Sequence, residues 1–208
     1  MSSGSLYVLC APSGTGKSTL VKRLTDEFPK LRFSISHTTR APRGGEVHGR
    51  DYFFTDRDEF MRRVGEGYFA EWAEVHGNCY GTPLAFTREL ATQGHDVLFD
   101  IDVQGARQLK ASLPEACFIM LLPPSRQALE ARLRGRATDS EETIRKRLRN
   151  ARGELETAAM FAYWIVNDDL DLAYDPLRAV YLARKLTPAA TPDLVERLLA
   201  GWPREGDC

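Results

Sequence analysis

The sequence predicts an α/β fold, a parallel sheet with helices on both faces, interrupted once by an inserted and mostly β subdomain. Three observations carry that prediction. Short apolar runs at Leu6 to Cys10, Val97 to Asp102, Cys117 to Leu122 and Tyr163 to Val166 alternate with stretches of helical, 3.6-residue periodicity. The alternation pauses from His37 to about Glu89, where Gly, Arg and aromatic residues are richer. The first apolar run breaks into a loop of Gly, Ser and Pro and restarts as a helix at Lys17.

Taken in order, the first helix is predicted from Lys17 to about Glu27, with Pro29 as its stop, and a short strand near Arg32 to Ser36. Inside the insertion, strand-like pieces fall at Asp51 to Phe54 and Tyr68 to Val75. Between them, Asp56 to Val64 reads as a helix behind an acidic N-cap. The core resumes at Val97 to Asp102, a strand ending in two carboxylates, followed by a helix from about Gln104 to Ser112 and the strand Cys117 to Leu122. A helix from Ser125 to about Leu133 leads into a basic segment, Arg132 to Arg152, with eight Arg or Lys residues. Tyr163 to Val166 is the last strand, and Leu170 to Arg184 the last long helix. Beyond Lys185 the tail carries Pro188, Pro192 and Pro203 around a short amphipathic piece, Asp193 to Ala200. In such a sheet, ligands sit at the carboxyl ends of the strands.

The chain has 208 residues, 43% hydrophobic and 27% charged, enough for one domain with a proper core. A formal net charge of -1 argues against a general nucleic-acid binder. No apolar run approaches membrane-spanning length and MSSGS lacks the order of a secretory signal, so a cytoplasmic protein is expected. Cys10, Cys79, Cys117 and Cys208 lie far apart with no CxxC pair, which fits neither a zinc site nor a redox motif.

The loop after the first strand carries the strongest chemical signal. Gly14 and Gly16 lack a Cβ, so consecutive backbone N–H groups can turn inward around an anion at the helix N-terminus. Lys17 can reach the outer phosphates and the Ser18 hydroxyl can ligate Mg²⁺. The pattern Gly, four residues, Gly-Lys-Ser/Thr is matched except that Ala11 stands at its first glycine. The bland alternative, a polar turn capping a helix, is weaker because the loop lies between a strand and a helix.

A second signal is SHTTRAPRGGEVHGRDY, Ser36 to Tyr52. Arg40 and Arg43, with Tyr52 shortly after, suit one phosphate held by charge-assisted forks and a phenol; a solvated basic loop is the equal alternative. A third is the pair FAEWAEVHGNCYGT and LFDIDVQG. Glu71 could accept guanine's N1–H and N2–H₂ together, and hydroxyls at Ser36 and Thr82 could donate to O6, although an exposed strand residue is the commoner role for such a Glu. Asp100, ending an apolar strand near the phosphate loop, reads as a Mg²⁺-shell carboxylate or as a helix N-cap.

These stretches together, with LLPPS, RLRGR and IVNDD, resemble the guanylate kinase family over nearly the whole chain. The resemblance implies a P-loop kinase core at 1–36, 90–134 and 153–208, a GMP-binding subdomain at 37–89 and a helical lid at 135–152. It implies phosphoryl transfer from ATP to GMP, and to dGMP, with Mg²⁺ as cofactor. Residues Ala11, Pro12, Ser13, Gly14, Thr15, Gly16, Lys17, Ser18 and Thr19 would cradle ATP, with Asn167 at the adenine. Ser36, Glu71, Thr82 and Asp102 would read guanine, while Arg40, Arg43, Tyr52 and Tyr80 would hold the GMP phosphate. Lys17, Arg132, Arg136 and Arg147 would steady the transferring phosphoryl, and Ser18 and Asp100 would serve Mg²⁺. The implied partners are ATP and GMP, without nucleic acid or membrane, and a homo-oligomer is admitted.

Departures from the family pattern are Ala11, Thr82 where Ser is also used, and Ala137 where Gly is expected after GR, which bears on lid kinetics rather than on the reaction. No general base is needed, since the attacking phosphate oxygen is largely ionised at neutral pH; none of His37, His48, His76 and His95 is nominated. Rival readings are a guanylate-kinase-like interaction module, disfavoured by the intact Gly14, Gly16, Lys17 and Ser18, and a kinase for another acceptor or a GTP hydrolase.

Overall fold

The structure, a computed structural model, describes residues 3–75, 77–135 and 140–202. The chain opens with β1 (Leu6–Cys10), buried at every residue, and α1 (Lys17–Glu27). β2 (Leu31–Phe33) is followed by β3 (His37–Thr38), β4 (Phe53–Phe54), α2 (Arg57–Gly65), β5 (Phe69–Val75) and β6 (Asn78–Pro83). Then come α3 (Leu84–Thr92), β7 (Asp96–Asp100), α4 (Val103–Ser112), β8 (Cys117–Leu122) and α5 (Arg126–Arg134). The chain continues through α6 (Glu141–Leu155), β9 (Tyr163–Val166), α7 (Leu170–Arg184) and the short α8 (Leu194–Leu199).

Two sheets form. The larger is parallel throughout, in the order β2-β7-β1-β8-β9. Successive residues of β1 serve opposite faces: Leu6, Val8 and Cys10 pack with α4 residues such as Ala106 and Leu109, while Tyr7 and Leu9 pack with Leu20 and Leu24 of α1 and Leu177 of α7. A strand covered on both sides has no polar face, which is why LYVLC is apolar from end to end. From β1 the order runs to β2 and β7 on one side and to β8 and β9 on the other, so a crevice opens at the carboxyl ends of these strands.

The smaller sheet, β4-β3-β6-β5, is the inserted subdomain, backed by α2. The Asp56 carboxylate caps α2 by accepting from the Glu59 amide at 2.8 Å. Phe60 of α2, fully buried, stacks on Phe69 with ring centroids 4.5 Å apart.

Three expected strands move by more than one residue, and β3 and β6 are strands that no expected run covers. The segment expected at 32–36 is β2, 31–33, with one further bond from the Ser34 amide to the Leu98 carbonyl; beyond it the chain departs for the second sheet. The piece expected at 51–54 keeps only Phe53 and Phe54 as strand, because the chain before it folds back on itself through amide bonds from Arg50 and Asp51 to the Val47 carbonyl. The strand expected at 97–102 is β7, 96–100, because Asp102 serves as the N-cap of α4, its Oδ1 accepting from the Gly105 amide at 2.8 Å. The N-cap alternative weighed for Asp100 therefore falls to Asp102. The helix of the basic segment runs unbroken to Leu155, past residue 152.

Candidate active site

The loop between β1 and α1 takes the shape its glycines permit. Gly14 and Gly16 stand at φ 94° and 89°, in the left-handed region that residues with a Cβ rarely enter. Helix α1 has no side-chain cap and no acidic residue in its first turn, so its leading amides and the positive end of its dipole are left to an anion. Thr15 is fully buried beneath the loop, its hydroxyl donating to the Pro12 carbonyl at 2.7 Å. Ser18 and Thr19, in the first turn, are exposed.

Lys17 forms an ion pair with Asp100, and its ammonium lies 3.4 Å from the Ile101 carbonyl. This joins the phosphate loop to the end of β7, the next strand in the sheet. Asp100 also lines a cavity of about 320 Å³ whose opposite wall is the inserted subdomain, with Ser36, Glu46, Tyr52 and Thr82. The loop lysine and the insertion thus face one cleft.

At one end of that wall lies a carboxylate that water scarcely reaches. Glu71, on β5, is 6% exposed and accepts from the Thr82 hydroxyl at 2.7 Å, across the β5–β6 ladder. Burial, reinforced by the nearby Asp102 carboxylate, pushes Glu71 up to about 7. A Cβ on Gly105 would stand 2.9 Å from Glu71 Oε2, so this glycine is what lets the carboxylate sit against the first turn of α4. The sequence reading passed over Gly105.

At the other end, Arg40 donates to Glu46 Oε1 at 2.8 Å and to the Ala41 carbonyl at 2.9 Å, and its guanidinium lies 5.4 Å from the Tyr52 ring centroid. The Tyr52 and Tyr80 rings are 6.1 Å apart. The other oxygen of Glu46 accepts from the Arg43 amide at 2.8 Å; the Arg43 side chain is exposed. Glu46 was likewise missed, although an acid three residues from Arg43 and six from Arg40 was its signal.

Asn167, expected at the adenine, and Arg132, expected at the transferring phosphoryl, each bond to protein carbonyls. The Asn167 side chain is buried and donates to the Thr15 carbonyl at 2.6 Å. Arg132 donates to the Asn167 and Asp168 carbonyls, each at 2.7 Å. Arg147 lies half-buried on α6. Arg136 and Ala137 lie outside the described residues, as do His76 and Cys208. A second acid absent from the sequence reading is Glu154 of α6, whose Oε2 is buried without a hydrogen-bond partner among the described residues and which burial pushes up to about 7, within the field of Asp102 and Lys17.

The cavity lined by Asp100, Tyr52 and Thr82 is thus joined on one side, through the Asp100–Lys17 pair, to a backbone cradle suited to a polyphosphate, and on the other, through Thr82, to a buried acid suited to a paired N–H edge. Comparison with known proteins agrees with that geometry. A sequence model of the family described as guanylate kinase matches residues 3–183. The chain is 61% identical to a guanylate kinase of Oleidesulfovibrio alaskensis over 96% of its own length and 97% of the relative's. It is 58% identical to one of Nitratidesulfovibrio vulgaris, over 96% and 97%. Among solved structures, a guanylate kinase from Anaplasma phagocytophilum matches with a TM-score of 0.74 and 32% identity, covering 97% of both chains.

Proposed function

We propose a division of labour within the cleft from one premise: the chain belongs to the guanylate kinase family and moves the terminal phosphoryl of ATP to GMP, giving ADP and GDP. The observation that carries the division is the cleft itself, in which Asp100, paired with Lys17, and the wall of Ser36, Tyr52 and Thr82 line one cavity.

On our reading the loop from Ala11 through Thr19 holds the ATP phosphates with its amides, and Lys17 leaves Asp100 to follow the outer phosphates. Glu71 accepts the paired N–H edge of guanine, with Thr82, Ser36 and Asp102 around it. Arg40, Arg43, Tyr52 and Tyr80 take the GMP phosphate, with Glu46 orienting the Arg40 fork. Because the same groups read base and phosphate, dGMP serves as an acceptor too.

The chemistry asks little of acids and bases. An ionised oxygen of the GMP phosphate attacks the terminal phosphorus of ATP as the bond to the bridging oxygen breaks, and ADP leaves. Catalysis is then alignment of two nucleotides plus cationic stabilisation by Lys17, Arg132, Arg136 and Arg147. Mg²⁺ fits the oxygens available: the exposed Ser18 hydroxyl and the Asp100 carboxylate would hold it, and it would neutralise phosphate charge.

Residues 37–89 act as the GMP-binding unit and 135–152 as the lid, whose helix α6 packs Ile144, Leu148 and Ala151 on Leu129 and Leu133 of α5. We place the protein in the cytoplasm, with its nucleotides, which suits the free thiols Cys10, Cys79 and Cys117. No helix among the described residues is long and apolar enough to cross a membrane.

A coupled assay of ADP release with GMP, dGMP, AMP, UMP or buffer alone tests the reading. ADP should form with the two guanine nucleotides only. Release in buffer alone, or equal rates with AMP, would overturn the assigned roles.

A further inference from the structure

We propose that Gln108 of α4 is a positioning residue for the acceptor's base: it clamps strand β5 at Trp72 and so fixes where the neighbouring Glu71 presents its carboxylate. The inference rests on the reading of Glu71 as the acid that accepts guanine.

β5 ends the order of the smaller sheet, with β6 along one edge and no strand along the other. An open edge leaves backbone groups to be satisfied by something else. At Trp72 that something is a side chain of the core. The Trp72 amide donates to Gln108 Oε1 at 3.1 Å, and Gln108 Nε2 donates to the Trp72 carbonyl at 2.8 Å. One amide side chain thus makes the pair of bonds that a neighbouring strand would make. One turn further along α4, the Ser112 hydroxyl donates to the Ala70 carbonyl at 2.8 Å. Both residues that flank Glu71 are therefore tied to the same helix.

The helix is built for this grip. Gly105, Gln108 and Ser112 follow one another at spacings of three and four residues, which puts them on one face. Gly105 admits the Glu71 carboxylate, Gln108 takes Trp72 and Ser112 takes Ala70. Ala106 and Leu109 of the same helix pack with Leu6, Val8 and Cys10 of β1, the strand that leads into the phosphate loop. The place of Glu71 is thereby referred to the larger sheet, which carries Asp100 and its partner Lys17, and not only to the subdomain that bears it. Alignment of two substrates needs such a reference, because the base site and the phosphate site sit on different sheets.

Kinetics and guanosine calorimetry on Gln108→Leu, Ser112→Ala and Glu71→Gln test the clamp. Gln108→Leu keeps the bulk and loses both bonds, so the KM for GMP should rise about tenfold while kcat and the KM for ATP stay within about twofold. Ser112→Ala, which gives up a single bond, should raise the KM for GMP about threefold with the same split, and serves if the first variant does not fold. Among the described residues the groups that face Glu71 are Asp102 at the head of α4 and the Thr82 hydroxyl on β6. With β5 released from α4, water reaches the acid, and the pH midpoint of guanosine affinity should fall by about one unit. Weaker guanosine binding with that midpoint unmoved would mean that Gln108 meets the base itself, and would overturn the clamp. So would parental values in both variants, or equal losses for GMP and ATP. Glu71→Gln tells the two readings apart. If it binds guanosine as the parent does, the guanine assignment fails and the clamp with it; if it alone weakens guanosine, only the clamp fails.

Discussion

On the proposed assignment the groups facing an anion around Lys17 are backbone amides, on a loop shaped by two left-handed glycines over a buried Thr15, and the groups facing the acceptor are side chains, Arg40, Tyr52, Glu71, Tyr80 and Thr82, borne on or beside four short strands. Backbone donors are set by φ and ψ of neighbouring residues, so the ATP side is a local construction. The acceptor side depends on register: Glu71 meets Thr82 only because β5 pairs antiparallel with β6 in that alignment. A cradle of amides grips any phosphate chain, whereas a buried acid discriminates among bases, because an unmatched partner leaves its charge unpaired. The binding side and the selecting side are therefore expected to fail differently.

The largest failure should come from the cation that serves the transfer. Lys17→Ala should lower kcat/KM by about 10³-fold or more while the thermal transition stays near that of the parent, because the residue is paired in the cleft rather than in the core. Unchanged turnover in the ADP-release assay would remove Lys17 from the chemistry.

Next in size is the selecting acid. Glu71→Gln keeps the shape but can accept only one of guanine's two N–H bonds, so the KM for GMP should rise by about tenfold to a hundredfold with the KM for ATP unaltered. If both constants rose together, the separation of the two sides would be lost.

A smaller, graded effect follows from the state of that acid. Burial holds Glu71 up to about 7, whereas guanine's donors require the ionised form, so on the proposed assignment binding should release a proton. Affinity should rise with pH through about 7 and level off above it, and below it fall by about tenfold per pH unit. Guanosine, which has no phosphate of its own to titrate, is the probe to titrate by calorimetry. The Glu71→Gln variant should show a flat profile, and a parent profile that is equally flat would refute the titration.

The smallest change expected is Thr82→Ser, which keeps the hydroxyl that donates to Glu71 and removes one buried methyl. The KM for GMP should move by no more than about threefold, and the cost in stability should be about 1 kcal/mol, read from denaturant midpoints. A loss as large as that of Glu71→Gln would mean that the methyl, and not the hydroxyl, fixes the acid.

Where the sequence was read well, the information was local. Lys17 to Glu27, Cys117 to Leu122, Tyr163 to Val166 and Leu170 to Arg184 follow from a glycine stop, unbroken apolar runs and helical periodicity, and they stand in the structure with those bounds. The edges that moved, at Ser34 and at Ile101, are places where the chain leaves one sheet to enter another element, which a periodicity cannot register. Asp102 looked like a continuation of a strand because its identity suits both a strand end and a cap.

The chain itself determined the order of elements, the glycine-shaped loop and the chemical kinds of residue proposed for each nucleotide, because glycine torsions, caps and apolar runs act over a few neighbours. Tertiary structure alone decided which of those residues spend their polar groups on one another: Asn167 on Thr15, Arg132 on the loop after β9, Glu46 on Arg40 and Glu71 against Gly105. Of these, Asn167 and Thr15 are separated by 152 residues in the sequence. A bond of that span exists only once the sheet has set β8 beside β1 and β9 beside β8, and no pattern read along the chain contains the distance.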